Sequence, residues 1–330
     1  MSVSAPLDPE TLARAADLLR SGALVAFPTE TVYGLGANAL DDHAIARLYA
    51  AKGRPTFNPL IIHVATPAHA FALAEVTPAA RTLADAFWPG ALTLILRRRA
   101  DCAVSALASA GLETLALRVP AHEAARALIA QAGVPIAAPS ANPSGKISAT
   151  RAHHVAEAFG EEVALVLDGG ASRLGLESTI VDATGTKARL LRPGAVALEA
   201  LQGVIDVETA PPSLAQDDGA MASANTAAPV SSPGQLASHY APRATLQLDA
   251  QHVAPGEALL AFGAPLATDG PVLNLSAQRD LVEAAAHLFA HLHALDALSP
   301  AAIAVMPIPS TGLGFAINDR LRRAAAPRPD

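Results

Sequence analysis

Cys102 is the one cysteine in the 330 residues, so no disulfide can form within the chain, as suits a reducing compartment. The N-terminus lacks the basic stretch and apolar run of a secretory signal. No uninterrupted apolar stretch approaches the ~20 residues needed to span a bilayer. A cytoplasmic chain without a membrane segment is therefore expected. Aromatics make up 4% of the residues and the formal net charge is −7. An acidic chain poor in aromatics lacks both the charge and the stacking platforms of a general nucleic-acid binder. Also missing are a Walker lysine loop, a spaced GxGxxG and a GxSxG elbow, which excludes the commonest nucleotide and hydrolase loops. His287, His291 and His293 have no carboxylate or thiolate to complete a metal set, so they read as surface histidines. Cys102 has no neighbour that marks a nucleophile. Arg97-Arg-Arg99 reads as a solvated strand edge.

What is present is apolar: 51% of the residues, with a charged fraction of 16%, enough to bury a sizeable core. The length suits about two domains at ~100–200 residues each. Asp8 and Pro9 mark a helix start, and Leu12, Ala15, Ala16 and Leu19 fall on one face before Gly22. Strands are predicted over 23–27, 60–64, 91–96, 115–119, 135–138, 163–167 and 179–181, interleaved with helices over 42–51, from Thr77-Pro78, and over 122–131. That alternation predicts an α/β fold. Residues 210–233 are rich in Pro, Ala, Ser, Asp and Gly without periodicity and read as a linker. A smaller α/β unit follows, with strands over 258–262 and 303–306 around a helix over 280–295. The expected division is a catalytic domain over 1–207, a linker or lid over 208–243 and a second domain over 244–330.

Several segments are too polar or too glycine-rich for pure core. Pro28-Thr-Glu-Thr-Val-Tyr-Gly-Leu-Gly36 follows a buried strand, where open α/β sheets bind ligands. Gly34 and Gly36 would admit a ligand to the backbone; a turn capped by its own hydroxyls fits equally well. Lys52-Gly-Arg-Pro-Thr-Phe-Asn58 places cations where a polyphosphate could be shared between a point charge and a fork, although cations also favour helix ends. His63 sits inside the next strand. Ala138-Pro-Ser-Ala-Asn-Pro-Ser-Gly-Lys-Ile-Ser148 is dense in hydroxyls and amides before a helix, an expected anion nest built around Ser140, Asn142 and Ser148. Asp168-Gly-Gly170, Glu177-Ser-Thr179 and Arg192-Pro-Gly194 form the last group, with Arg192 either an anion contact or a surface ion pair.

Taken in order, these segments resemble the Sua5/YrdC family, the threonylcarbamoyl-AMP synthases, over about residues 10–205. The likeness rests on Thr-Glu-Thr-x-Tyr-Gly-Leu-Gly, Lys-Gly-Arg-Pro with Asn-Pro-Leu, Pro-Ser-Ala-Asn and Ser-Thr-x-Val-Asp. Ser232 to Pro242 and Gly312-Leu-Gly-Phe-Ala-Ile-Asn-Asp-Arg320 resemble the type with an extra C-terminal domain. The resemblance implies a twisted, open mixed sheet with a cationic cleft, joined to a smaller Rossmann-like α/β domain. It implies a nucleotidyltransferase that takes L-threonine, bicarbonate and ATP to threonylcarbamoyl-AMP and pyrophosphate. Separate transferase proteins then pass the group to the adenosine beside the anticodon of ANN-decoding tRNAs, so tRNA is met indirectly.

Carried over residue by residue, Thr31, His63, Arg118, Ala138 and Ser178 would contact threonine, and Ala138 could do so through its backbone alone where some members have threonine. Lys52, Arg54, Asn58, Thr114, Ser140, Asn142, Ser148, Arg192 and Tyr240 would contact ATP, with Lys52 and Arg54 catalytic. Mg2+ would arrive on the triphosphate, with no protein metal site and no organic cofactor. Ser232 to Pro242 would fold over the cleft as a lid, placing His239, Tyr240 and Arg243 near the nucleotide. A related carbamoyl-adenylating enzyme and an RNA-binding module are the competing readings; the acylphosphatase and zinc-finger segments of the former are missing here.

Overall fold

A computed structural model of the chain describes residues 4–209 and 238–327. The stretch expected as a linker, 210–233, lies outside the described residues, as does 232–237 of the lid segment. The N-terminal part contains β1 (Ser4–Pro6), α1 (Pro9–Arg20), β2 (Val25–Phe27), β3 (Gly34–Asn38), α2 (Asp42–Lys52), β4 (Ile61–His63), α3 (Pro67–Leu73), α4 (Pro78–Phe87), β5 (Leu92–Arg97), β6 (Thr114–Arg118), α5 (Glu123–Ala132), β7 (Ile136–Ala137), α6 (Ala152–Phe159), β8 (Leu165–Asp168), β9 (Thr179–Asp182), β10 (Ala188–Arg192), α7 (Leu198–Gln202) and β11 (Val207–Thr209). The C-terminal part contains β12 (Thr245–Gln247), β13 (Ala258–Ala261), β14 (Val272–Asn274), α8 (Leu281–Ala297), β15 (Ala302–Val305) and α9 (Leu313–Ala325).

The helix signals act as their chemistry dictates. Asp8 accepts a hydrogen bond from the Thr11 amide at 2.7 Å and Pro9 fills the first turn of α1. Asp41 caps α2, which ends where Gly53 turns left-handed at φ 56°. Thr66 and Thr77 cap α3 and α4 in the same way.

The strands form an eleven-stranded mixed sheet in the order β1-β8-β2-β3-β7-β4-β6-β5-β9-β10-β11, and a separate four-stranded parallel sheet in the order β12-β15-β13-β14. The α/β expectation holds in both. Arg97 ends β5, which lies between β6 and β9, so it closes an interior strand and not a sheet edge. Successive antiparallel pairings of β2 with β3, β3 with β7 and β7 with β4 make β2 and β4 run in opposite directions. The segment over 28–36 follows the carboxyl end of β2, as expected from the sequence, but the polar segments do not all lie beyond the carboxyl ends of parallel strands. They meet on one face of the sheet.

Period-two alternation decides which face. Ile62, Leu94, Leu115, Leu117 and Val181 point into the main core beneath α2 and α4. Their neighbours Ile61, Ile95, Ala116 and Ile180 form a small apolar floor on the opposite side. His63 and Arg118 are partners in the parallel β4–β6 register, so both project from that second side. A second core unites Leu260, Phe262, Leu288, Phe289, Ile303 and Ile317 of the C-terminal part with Val32, Ile147 and Leu176 of the N-terminal part. Each fully buried leucine or isoleucine contributes roughly 1.5–3 kcal/mol to that junction.

β3 begins inside the loop where a ligand-admitting turn was expected, which changes the role of Gly36. A Cβ there would lie 2.8 Å from Phe27 Cε1 and 3.1 Å from both Ile136 Cγ2 and Val25 O. Its missing side chain makes room for Phe27, not for a ligand. Gly36→Ala is expected to lower the unfolding free energy by ~1–3 kcal/mol through overpacking, read from urea denaturation. An unchanged midpoint would show that Phe27 can step aside.

Candidate active site

The side chains on the second face surround a cavity lined by Thr29, Thr31, Gly34, Arg54, His63, Arg118, Ala138, Ser140, Glu177, Ser178, Arg192, His239 and Tyr240. At one end the Thr29 hydroxyl lies 2.7 Å from that of Thr31 and donates to Val32 O at 2.6 Å. Arg118 donates to Glu30 Oε1 at 2.6 Å and to Gly90 O at 3.2 Å. Burial alone would raise the Glu30 carboxyl; the charge and hydrogen bond of Arg118 overcome it and hold the group below its usual range. Burial, reinforced by Arg118, pushes His63 down to about 3, so its imidazole is neutral near pH 7.

The other end is strongly cationic. Lys52 is buried and its ammonium donates to the carbonyls of Ser140, at 2.6 Å, and Asn142. Burial, then the proximity of Arg54, holds its pKa well below the normal lysine value. Arg54 donates from Nη2 to Asn58 Oδ1 at 2.7 Å and to Pro59 O at 2.8 Å, and from Nε to Asn58 O at 3.1 Å. Burial lowers its pKa to about 10. Arg192 donates to Ser178 O at 2.8 Å and 3.2 Å and to Ser178 Oγ at 3.2 Å. These cations lean on carbonyl dipoles more than on carboxylates, and an incoming anion would stabilise all of them at once.

Most residues expected from the sequence converge here. Thr31, Arg54, His63, Arg118, Ala138, Ser140, Ser178, Arg192 and Tyr240 line the cavity. Lys52, Asn58, Asn142 and Ser148 stand behind its wall instead. Asn58 orients Arg54, and the Asn142 amide donates to Pro143 O at 2.8 Å and Lys146 O at 2.9 Å, tying its own turn. The expected nest of free amides is largely spent: Ala141 N donates to Tyr33 O, Ser144 N to Lys52 O and Lys146 N to Pro143 O. Thr114 begins β6 and by alternation shares the face that carries Ala116 and Arg118, but it is not among the residues lining the cavity.

Of the lid segment, the described part begins at Ser238. His239 and Tyr240 reach the cavity wall, while Ala241 N donates to Gly145 O at 2.8 Å. Arg243 turns away: it is exposed and pairs with Asp296 at 3.3 Å. His293 is not a surface histidine either; it stacks on His154 at 3.9 Å and contacts Ser148 O at 3.2 Å.

Two sequence profiles match the chain. The Sua5/YciO/YrdC profile, described as telomere recombination, covers residues 17–194, and one described as the threonylcarbamoyl-AMP synthase C-terminal domain covers 196–326. The threonylcarbamoyl-AMP synthase of Pyrococcus abyssi is 41% identical over 95% of this chain and 94% of that protein. The Bacillus subtilis enzyme of that name is 41% identical over 97% of this chain and 94% of its own. The crystal structure of P. abyssi Sua5 complexed with L-threonine superposes with a TM-score of 0.85 at 38% identity, covering 98% of this chain and 97% of that one. This chain belongs to the threonylcarbamoyl-AMP synthase family. The twisted mixed sheet with a second parallel sheet is that family's fold.

In this family member, nothing in the sequence pairs Glu30 or Glu177 with an arginine or brings Arg320 to the site. Both glutamates stand within the polar segments singled out, but acids look out of place where anions bind. Each is tied to an arginine, Glu30 to Arg118 at 2.6 Å and Glu177 to Arg320 at 2.9 Å. Such pairings across 88 and 143 residues leave no local signal.

His63 and His239 each titrate at about 3 in the folded chain against 6.5 unfolded. Between those values the unfolded chain binds more protons. Their contribution is therefore complete above pH 6.5 and is lost as pH falls towards about 3. Urea midpoints taken in steps from about pH 7 to about pH 4 should fall, and His63→Gln should flatten part of that slope. Identical slopes for both proteins would show that His63 is not buried neutral.

Proposed function

We propose that the chain forms threonylcarbamoyl-AMP and pyrophosphate from L-threonine, bicarbonate and ATP, for N6-threonylcarbamoyladenosine synthesis in ANN-decoding tRNAs. The observation that carries this reading is the shared cavity, with Arg118, Thr31 and His63 at one end and Arg54 and Arg192 at the other. The first end suits an amino acid. Arg118 can take its carboxylate, with Glu30 holding the guanidinium in plane. The Thr31 and Ser178 hydroxyls can meet its side chain. A neutral His63 adds a hydrogen-bonding group without a further charge.

The second end suits a triphosphate. Threonine's amine captures CO2 with loss of a proton, or bicarbonate with loss of water, to give an N-carboxylate, and a carboxylate oxygen attacks the α-phosphorus of ATP. The bond to the β-phosphate oxygen breaks and pyrophosphate leaves with the electron pair. Negative charge gathers on the phosphate oxygens, which Arg54 and Arg192 stabilise, with Lys52 behind them. No covalent nucleophile is required.

Mg2+ belongs to the substrate in this reading, carried by the triphosphate. The triphosphate oxygens are the hard ligands such an ion prefers. The product passes to separate transferase proteins, so tRNA is met indirectly. No described helix is long and apolar enough to cross a membrane, and substrates and tRNA both point to the cytoplasm. The division into a catalytic domain over 1–207 and a second domain over 244–330 forms part of the same proposal.

Pyrophosphate release from ATP should require both threonine and bicarbonate, with threonylcarbamoyl-AMP identified by mass spectrometry. Release without threonine, or driven by carbamoyl phosphate, would overturn the reading. Valine should be rejected strongly, because it leaves buried polar groups unpaired, whereas serine loses only ~1–3 kcal/mol. Arg118→Gln should raise the KM for threonine by about tenfold to a hundredfold, the worth of a hydrogen bond to a charged group. An unchanged KM would place the threonine carboxylate elsewhere.

A further inference from the structure

The N-terminal sheet builds the cavity, yet one buried charge beside it comes from the other end of the chain. Arg320 lies on α9, with its side chain 1% exposed. Its Nε donates to Glu177 Oε2 at 2.9 Å and its Nη1 to Asp319 Oδ2 at 2.6 Å. Its guanidinium carbon stands 5.3 Å from the centre of the Tyr240 ring. Glu177 and Tyr240 both line the cavity beside Arg54 and Arg192. Glu177 Oε1 accepts from the Ser148 hydroxyl at 2.6 Å.

A carboxylate on the wall of an anion site is a liability. Left unpaired, Glu177 would compete for the cavity's cations or repel a phosphate. Arg192 is the other cation whose charge acts on Glu177, and both line the cavity. Arg320 prevents this by supplying a fixed partner on the side away from the cavity. The same guanidinium faces Tyr240, so the lid segment and the catalytic wall share one anchor.

We propose that Arg320 of the C-terminal domain is a positioning residue for the nucleotide half of the site. It neutralises Glu177, leaves Arg192 and Arg54 available to the triphosphate, and seats Tyr240. The second domain is then part of the ATP site and not an appendage. This rests on the reading of the cavity as an ATP and threonine site.

Steady-state pyrophosphate release tests it on the full-length protein, varying ATP and threonine separately. Arg320→Met should raise the KM for ATP by about tenfold or more, while the KM for threonine stays within about twofold. Arg320→Lys should fall between, because a lysine keeps the charge without the fork. Glu177→Gln combined with Arg320→Met should recover most of the ATP affinity, since it removes the charge that Arg320 answers and keeps an acceptor for Ser148. A purely structural arginine would lower the melting temperature and the active fraction without moving the KM for ATP, and the double substitution would rescue nothing. An ATP KM unchanged in Arg320→Met, or a double variant no better than the single, overturns the inference. If Arg320→Met does not fold, an unchanged ATP KM in Arg320→Lys overturns it just as well. Wild-type protein without threonine-dependent release would instead sink the functional reading beneath it.

Discussion

Removing Lys52, Arg54, Arg118 and Arg192 from water around one cavity strips each of its hydration, and their mutual repulsion adds to the cost. The architecture is arranged to make that concentration tolerable. Backbone carbonyls absorb most of the charge: Ser140 and Asn142 for Lys52, Asn58 and Pro59 for Arg54, Ser178 for Arg192. Glu30 and Glu177 answer Arg118 and Arg320 with full charges. The residual imbalance has a direction, towards whatever anion enters. Lys52 shows it most clearly, since burial depresses its pKa and an approaching negative charge would raise it again.

Positioning these groups falls to the sheet. Parallel registry of β4 and β6 sets His63 beside Arg118 on the face opposite the main core. The antiparallel return of β10 against β9 brings Arg192 to within hydrogen-bonding reach of Ser178. Because strands hold their side chains roughly perpendicular to the sheet, the site gains a rigid floor, and loops supply only the walls. The C-terminal part closes the remaining side. It packs Leu176, Ile147 and Val32 into its own core and sets Tyr240 and Arg320 against Glu177. The cavity wall and the C-terminal part thus share one hydrophobic junction and one buried ion pair.

Sequence and structure agree best where the signal is local. Caps at Asp8 and Thr77, read from the sequence, act within a turn of their helices, so short-range chemistry is enough to place them. β3 was hidden because its Gly34-Leu-Gly-Ala-Asn38 stretch carries poor strand formers, held in place by pairing with β2 and β7. Asn58, Asn142 and Ser148 are expected from the sequence to contact a ligand directly. Part of each side chain is engaged with the protein, because a buried cation needs a scaffold as much as a ligand does, while Asn58 Nδ2 and Asn142 Oδ1 are buried without a hydrogen-bond partner.

From the sequence alone came the α/β class, the family, and the list of hydroxyls and cations from which a triphosphate and amino-acid site could be made, since residue type and order carry that chemistry. Tertiary structure alone decided that the site lies on a sheet face, that Lys52 stands behind the wall, and that Arg320 reaches Glu177 from the opposite end of the chain. These are contacts between residues distant along the backbone, set by strand direction and pairing order, and a one-dimensional pattern records neither.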